Sequence, residues 1–169
     1  MLLSDNDMKL TKDAFIKQIN EMYDQDQRMR LSGPWDDRVD IKNTKTLQTI
    51  VLSFGWPTIP KVGLVVSNKA MIIAIHARKS PDIQAYFLCE VEKVLNDVSL
   101  QRYAYLYDNV YLNKTGKQKY GTQFTIVNGI PTPRPIENFK KVNKYRKEVG
   151  LEPLEDYLEG FKDLDIEVK

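Results

Sequence analysis

The sequence predicts an α+β fold, a helix-rich single domain of 169 residues with a small antiparallel three-stranded meander over roughly 110–135. Three observations carry this expectation. Apolar residues recur at helical spacing in most segments up to about residue 109. Beyond it the pattern turns to alternation, and Asn128-Gly129 between Val127 and Ile130 is the strongest short hairpin signal in the chain. Hydrophobic residues make up 42% and charged residues 28%, which suffices for one core and is too apolar for a disordered chain.

Phe15, Ile19, Met22, Asp26 and Met29 form one face of a first helix, with Thr11 as its cap and residues 1–10 as a flexible N-terminal extension. Asp26 stands inside this apolar stripe, where a carboxylate is either half-exposed at the helix's end or buried with a partner, because an unpaired buried charge is costly. The run Ser32-Gly33-Pro34-Trp35-Asp36-Asp37 ends the helix. Leu47, Ile50, Val51 and Phe54 mark a second helix, opened by Asn43 or Thr44 and stopped by Gly55-Trp56-Pro57.

Residues 61–66 read as extended, after which Ser67 caps a short helix through Ala77; a buried strand over 71–75 competes with that helix. Ser80-Pro81-Asp82 opens the next helix, with a first-turn proline and an acid near the positive end. Its inner face is Ile83, Phe87, Val91, Val94 and Leu95. A tyrosine-rich helix covers 99–109. Val110-Tyr111-Leu112, the turn Asn113-Lys114-Thr115-Gly116 and the alternation over 118–127 then supply two strands, and Asn128-Gly129 turns into the third. A helix with Val142, Tyr145 and Val149 stops at Gly150, and a last short one begins at Pro153.

Several function classes are excluded by composition. One cysteine and one histidine permit neither an internal disulfide nor a Cys/His zinc cluster. No apolar run exceeds 70–75, so no membrane span is expected, and the acidic start shows no secretory leader. A cytoplasmic protein is the expectation. No phosphate-binding glycine loop, dinucleotide fingerprint or nucleophile elbow is present, so no cofactor is expected. No metal is expected either; an oxygen-ligand site would have to use Asp26 and Asp108.

The block 114–147 is strongly basic, with Glu137 as its one acid. Tyr111 and Tyr120 would supply stacking surfaces if this block bound nucleic acid. The acidic segment 148–167 folding back on the block is the simpler expectation, which makes nucleic acid an improbable partner.

His76 is the single side chain whose ordinary pKa permits proton exchange near neutrality, and Asp26 and Asp108 are its candidate partners. Cys89, among Leu88 and Val91, reads as packing. Over 118–123 a strand would place Gln118, Tyr120 and Thr122 on one face, with Gly121 leaving room for a close approach. Amides and a phenol there suit a polar, neutral ligand.

Several blocks carry a family resemblance: Asp26-Gln27-Arg28; Asn43 with Gly55-Trp56-Pro57 and Val62-Gly63; His76 with Gln84; Ala104-Tyr105-Leu106 followed by Asp108. Gln118 with Tyr120-Gly121-Thr122-Gln123, and Arg146 with Gly150-Leu151 and Pro153-Leu154, complete them. The chain resembles, from about 15 to 157, an uncharacterised and mainly bacterial family, the domain of unknown function 6624. The resemblance implies no reaction, but it gathers polar residues into one candidate pocket.

The expected function is a hydrolase or group-transfer enzyme acting on a polar small molecule or peptide-like group. His76 is its acid/base, oriented by Asp26 or Asp108. Gln118, Tyr120 and Gln123, with Gln27, Asn43 and Gln84, bind the substrate, and Arg28 or Arg146 holds an anionic group. The alternatives are a non-catalytic protein-interaction module with a structural polar network, and a weak nucleic-acid binder through residues 114–147.

Overall fold

A computed structural model describes residues 5–162, with side chains from Lys12 onward. Helix α1 spans Asp5–Leu31, so Thr11 lies within the helix and does not cap it; residues 1–4 of the expected extension lie outside the described residues. Helix α2 spans Asp37–Phe54. It begins well before Asn43 and Thr44, because Asp36 accepts the Arg38 N–H at 3.0 Å and Asp37 and Asp40 favour the first turn electrostatically. Asn43 and Thr44 are buried inside it, and Asn43 Nδ2 donates to Met22 O of α1 at 3.1 Å.

The short α3 (Ile59–Val62) and α4 (Leu64–His76) replace the extended segment expected over 61–66. Gly63 lies between them at φ +82°, a conformation that only glycine adopts without strain. Helix α4 is apolar nearly all round, so it shows no amphipathic stripe; such a helix belongs at the centre of a core. Ala70, Met71 and Ala74 have no solvent exposure. They belong to one continuous core with Ile19 and Met22 of α1, and with Leu47, Ile50 and Val51 of α2. Phe87 and Val91 of α5 (Pro81–Glu92) and Ala104, Leu106 and Val110 of α6 (Leu100–Thr115) complete that core.

The end of α4 is tied down by side chains. Gln84 Nε2 donates to Ala74 O and Ile75 O, both at 3.0 Å, and Asn109 Nδ2 donates to Ile75 O at 3.2 Å. Carbonyls that a helix leaves open are thereby satisfied in a dry interior.

The meander is a two-stranded hairpin, one strand short of the expectation. Strand β1 (Phe124–Val127) pairs antiparallel with β2 (Ile130–Pro133), and Asn128 (φ 52°) and Gly129 (φ 77°) make the expected tight turn. The residues 110–112 expected as the extra strand belong to α6. Val110 and Leu112 are buried, extending the face of Ala104 and Leu106, and Gly116 at φ 73° ends the helix in left-handed conformation. Packing of that face outweighs the β preference of Val-Tyr-Leu.

Segment 118–123 is also not a strand; Gln118 alone makes an isolated bridge, to Ile136. Side chains shape it instead. Asp108, fully buried, accepts from the N–H groups of Lys119 (2.8 Å), Tyr120 (3.0 Å) and Thr122 (2.9 Å), and from Thr122 Oγ1 (2.9 Å). Gln118 closes the loop by donating Nε2 to Gln123 O and Arg134 O and accepting from Gln123 N. Gly121, at φ +68°, is approached by Leu154 and Ile136, whose Cδ1 atoms stand 3.0 and 3.2 Å from where a Cβ would lie.

Helix α7 (Val142–Glu148) and helix α8 (Leu154–Glu159) cover the loop from the far side, α7 stopping before Gly150 as expected. Arg146 is buried between them, donating Nη1 to Tyr120 O at 2.8 Å and Nε to Glu152 O at 2.6 Å. Of the acidic segment expected to fold back, residues 163–169 lie outside the described residues.

Asp108→Asn is expected to lower stability by about 2–4 kcal/mol, since an amide cannot accept four hydrogen bonds and leaves buried donors unpaired. Urea unfolding measures it, and a loss under about 0.5 kcal/mol refutes the clamp. Gly121→Ala should cost about 1–3 kcal/mol in the same measurement, from the positive φ and the two crowding methyls.

Candidate functional site

Of the two environments open to Asp26 in the α1 stripe, the structure shows the buried one, and the carboxylate has three donors. His76 Nδ1 lies 2.8 Å from Oδ1, Arg30 Nη1 lies 3.1 Å from the same oxygen, and Gln27 Nε2 donates to Oδ2 at 2.7 Å. Arg30 also forks onto Asp40 of α2 with contacts of 3.0–3.1 Å, so one ionic chain joins α1, α2 and α4. The face of Trp35 packs 5.0 Å from the Arg30 guanidinium. Burial raises the Asp26 pKa, but the His76 bond and the His76, Arg30 and Gln27 contacts outweigh it, so the carboxyl sits below its ordinary value of 3.8.

An ionised carboxylate only accepts, so the Nδ1 facing it carries the proton. In the neutral imidazole, Nε2 is then the free basic nitrogen. The His76 side chain is 23% exposed while Asp26 is 1% exposed, which gives a ring open at one edge and anchored at the other.

The open edge borders a cleft of about 530 Å³. Helix α1 contributes Tyr23 and Gln27, α4 contributes Ile72 and His76, and α6 contributes Arg102 and Tyr105. Arg78, just past α4, and Gln123 face one another there, with Arg78 Nη2 donating to Gln123 Oε1 at 2.9 Å. Phe124, Tyr157 and Phe161 form an aromatic wall, and the Tyr157 hydroxyl donates to Thr122 O at 3.0 Å. A smaller cavity, about 200 Å³, lies on the other side of His76 against Arg30, Trp35 and Lys79.

Of the residues anticipated from sequence, the structure gathers His76, Asp26, Gln27 and Gln123 here. Asp108 is not beside His76; it holds the loop that carries Gln123. Gln118 fastens that loop, and Gln84 and Asn43 bond to helix backbone, so none of the three reaches the cleft through its side chain. Arg146 serves the Tyr120 and Glu152 carbonyls, and Arg28 is exposed on α1, donating to Asp24 O. Asp26 and Asp108 are committed to different donors and do not form a shared oxygen site. Among the described residues no three His, Cys, Asp or Glu side chains group as metal ligands.

Tyr120 is buried edge-on against Tyr103 and Tyr107, so it is no free platform for a base, and half-buried Tyr111 has one face stacked on Tyr107 at 4.1 Å. Sequence reasoning missed Arg30, Arg78 and Arg102. Arg30 was legible as the residue one turn after Asp26; nothing in the local pattern marks the other two.

Because the chain has a single histidine, nitrogen NMR on untagged protein reads its tautomer without assignment ambiguity. The neutral ring is expected as the Nδ1–H form, and Asp26→Asn is expected to shift that population. A dominant Nε2–H form in the wild type contradicts the pair. Linkage gives a further check. The depressed Asp26 pKa means its stabilisation is complete above the unfolded value, about pH 4, and is lost as pH falls through the lower folded value. Wild-type and Asp26→Asn stabilities should therefore converge in strong acid, separate as pH rises through the lower folded value, and keep a constant gap from this group above about pH 4.

No curated protein and no solved structure matches this chain significantly. The model of one family, described as a family of unknown function (DUF6624), matches residues 6–169. The match takes in the Asp26–His76 pair, the Asp108 loop clamp and the cleft between them. With nearly the whole chain covered, this protein belongs to the DUF6624 family.

Proposed function

We propose that the chain is an enzyme in which His76, oriented by Asp26, exchanges protons with a polar substrate in the cleft. The observation that carries this reading is the 2.8 Å bond from a partly exposed imidazole to a buried, ionised carboxylate at the edge of a cavity. Orientation by a carboxylate fixes the tautomer and stabilises the imidazolium that forms when Nε2 takes a proton. Among the described residues no serine or cysteine lines the cleft, and the Thr122 hydroxyl there is committed to Asp108, which favours water or a substrate hydroxyl as the attacking group. Nε2 removes its proton as the new bond forms and returns that proton to the leaving group. Hydrolysis and group transfer both follow this scheme, and a cytoplasmic setting is part of the proposal.

The rival reading is a non-catalytic interaction module. It draws support from Asp108, Gln118, Gln84 and Arg146, which bond to backbone and not to a cavity. The Asp26–His76 pair belongs to neither group, because its outer edge is open.

A panel of nitrophenyl esters, amides and phosphoesters separates the two. Wild type is expected to turn over at least one member, and His76→Asn, which keeps an N–H donor toward Asp26, to lose about 10²–10⁴-fold in kcat while remaining folded. Asp26→Asn should lose a comparable factor while melting lower, because Arg30 keeps one carboxylate instead of two. An inert wild type together with an unfolded His76→Asn variant replaces the enzyme reading with the interaction module.

A further inference from the structure

We propose that the cleft takes an aromatic oxyanion: a small molecule whose phosphate or carboxylate is held by Arg78 and Arg102 and whose flat ring lies against Tyr105, Phe124 and Tyr157. The inference rests on the acid/base reading of His76, because it names the class of compound that His76 acts on. It moves the anion-binding role from Arg28 and Arg146 to two arginines that share a cavity with the histidine.

Among the described residues, the cleft lining contains both guanidinium groups and no carboxylate. Among the described residues, neither Arg78 nor Arg102 forms an ion pair, whereas Arg30 nearby is held by Asp26 and Asp40. A concave surface with unneutralised charge of one sign concentrates ligands of the other. Arg78 is exposed, and one neutral side chain orients it. Gln123 Oε1 accepts from its Nη2, Gln123 Nε2 donates to Thr122 Oγ1 at 3.0 Å, and Thr122 donates in turn to Asp108. A neutral anchor of this kind orients the guanidinium fork and leaves its charge for a ligand, which lowers the ordering cost of binding. Crowding by protein, with Arg30 and Arg134 nearby, lowers the pKa of Arg78 against the opposing charge of Asp40, and a bound oxyanion would favour the charged form.

The other wall selects the rest of the molecule. Phe124 packs on Phe161 with centroids 4.6 Å apart, Tyr157 meets Phe124 at 6.0 Å, and Tyr105 meets Tyr157 at 6.4 Å. These rings give an apolar side to a cavity whose volume is within the range of about 300–1,000 Å³ typical of small-ligand sites. An inorganic anion leaves that wall wet; a planar ring covers it and places the bond between ring and oxyanion near His76.

Calorimetric titration of the untagged protein with phenyl phosphate, benzoate, cyclohexyl phosphate and inorganic phosphate tests the inference. The better of the two aromatic ligands is expected to bind at least about tenfold tighter than inorganic phosphate, and its head group names the oxyanion. Cyclohexyl phosphate should bind more weakly than phenyl phosphate; equal binding overturns the flat-ring half. Arg78→Gln and Arg102→Gln should each weaken binding by about tenfold or more. Arg78→Lys, which keeps the charge without the fork, should fall between and serves if the glutamine variant melts early. Absence of saturable binding at millimolar ligand, or binding indifferent to both arginines, overturns the proposal.

The two readings fail separately. Arginine-dependent binding that persists in His76→Asn, with no turnover by wild type, removes the catalytic role and keeps the ligand class. Turnover of uncharged esters without oxyanion binding does the reverse.

Discussion

A carboxylate shut away from water stays ionised only if donors surround it, and Asp26 draws its donors from two helices while sharing Arg30 with a third. That requirement sets the mutual placement of α1, α2 and α4. Removing one member of such a buried set costs about 3–5 kcal/mol, because the partners are left charged and unpaired. The apolar α4 supplies cohesion in every direction but no orientation of its own. The ionic chain at its end supplies the orientation, and with it the angle at which the imidazole meets the cleft.

The two buried carboxylates divide the labour. Asp26 holds side chains and is thereby linked to chemistry. Asp108 holds backbone, and three N–H contacts from one loop make it a substitute for a strand ladder. Burial raises the Asp108 pKa, against the four donors that favour its ionised form. Both carboxylates stand near residues of the cleft, yet only one touches the histidine.

Much of this was legible in the sequence, and the failures have identifiable causes. Asn-Gly announced the hairpin turn and Ser80-Pro81 announced α5, since each signal is local, whereas the acid in the apolar stripe left half-exposure and paired burial open and only packing decided for burial. Val110-Tyr111-Leu112 misled because a buried helix face and a strand share their residue types, and only tertiary packing separates them. Gln118 was singled out as a ligand contact and instead bonds to its own loop, while Tyr120 enters the hydrogen-bond network through its backbone; spacing does not distinguish these uses. Arg78 and Arg102 lie far apart in the chain, and the cleft that joins them exists only after α4 and α6 have packed.

The hairpin stands apart from these constraints. Loop 118–123 is fixed by Asp108 and Gln118 before the strands begin, so the position of Gln123 does not depend on sheet pairing further out. Val127 and Ile130, flanking the turn, are 49% and 60% exposed, and nothing crowds Gly129. The outer half of the hairpin is thus mechanically decoupled from the cleft that its base helps to line. It is the place where the chain tolerates added length, whether a natural insertion that reaches over the cleft mouth or a grafted peptide or fluorophore.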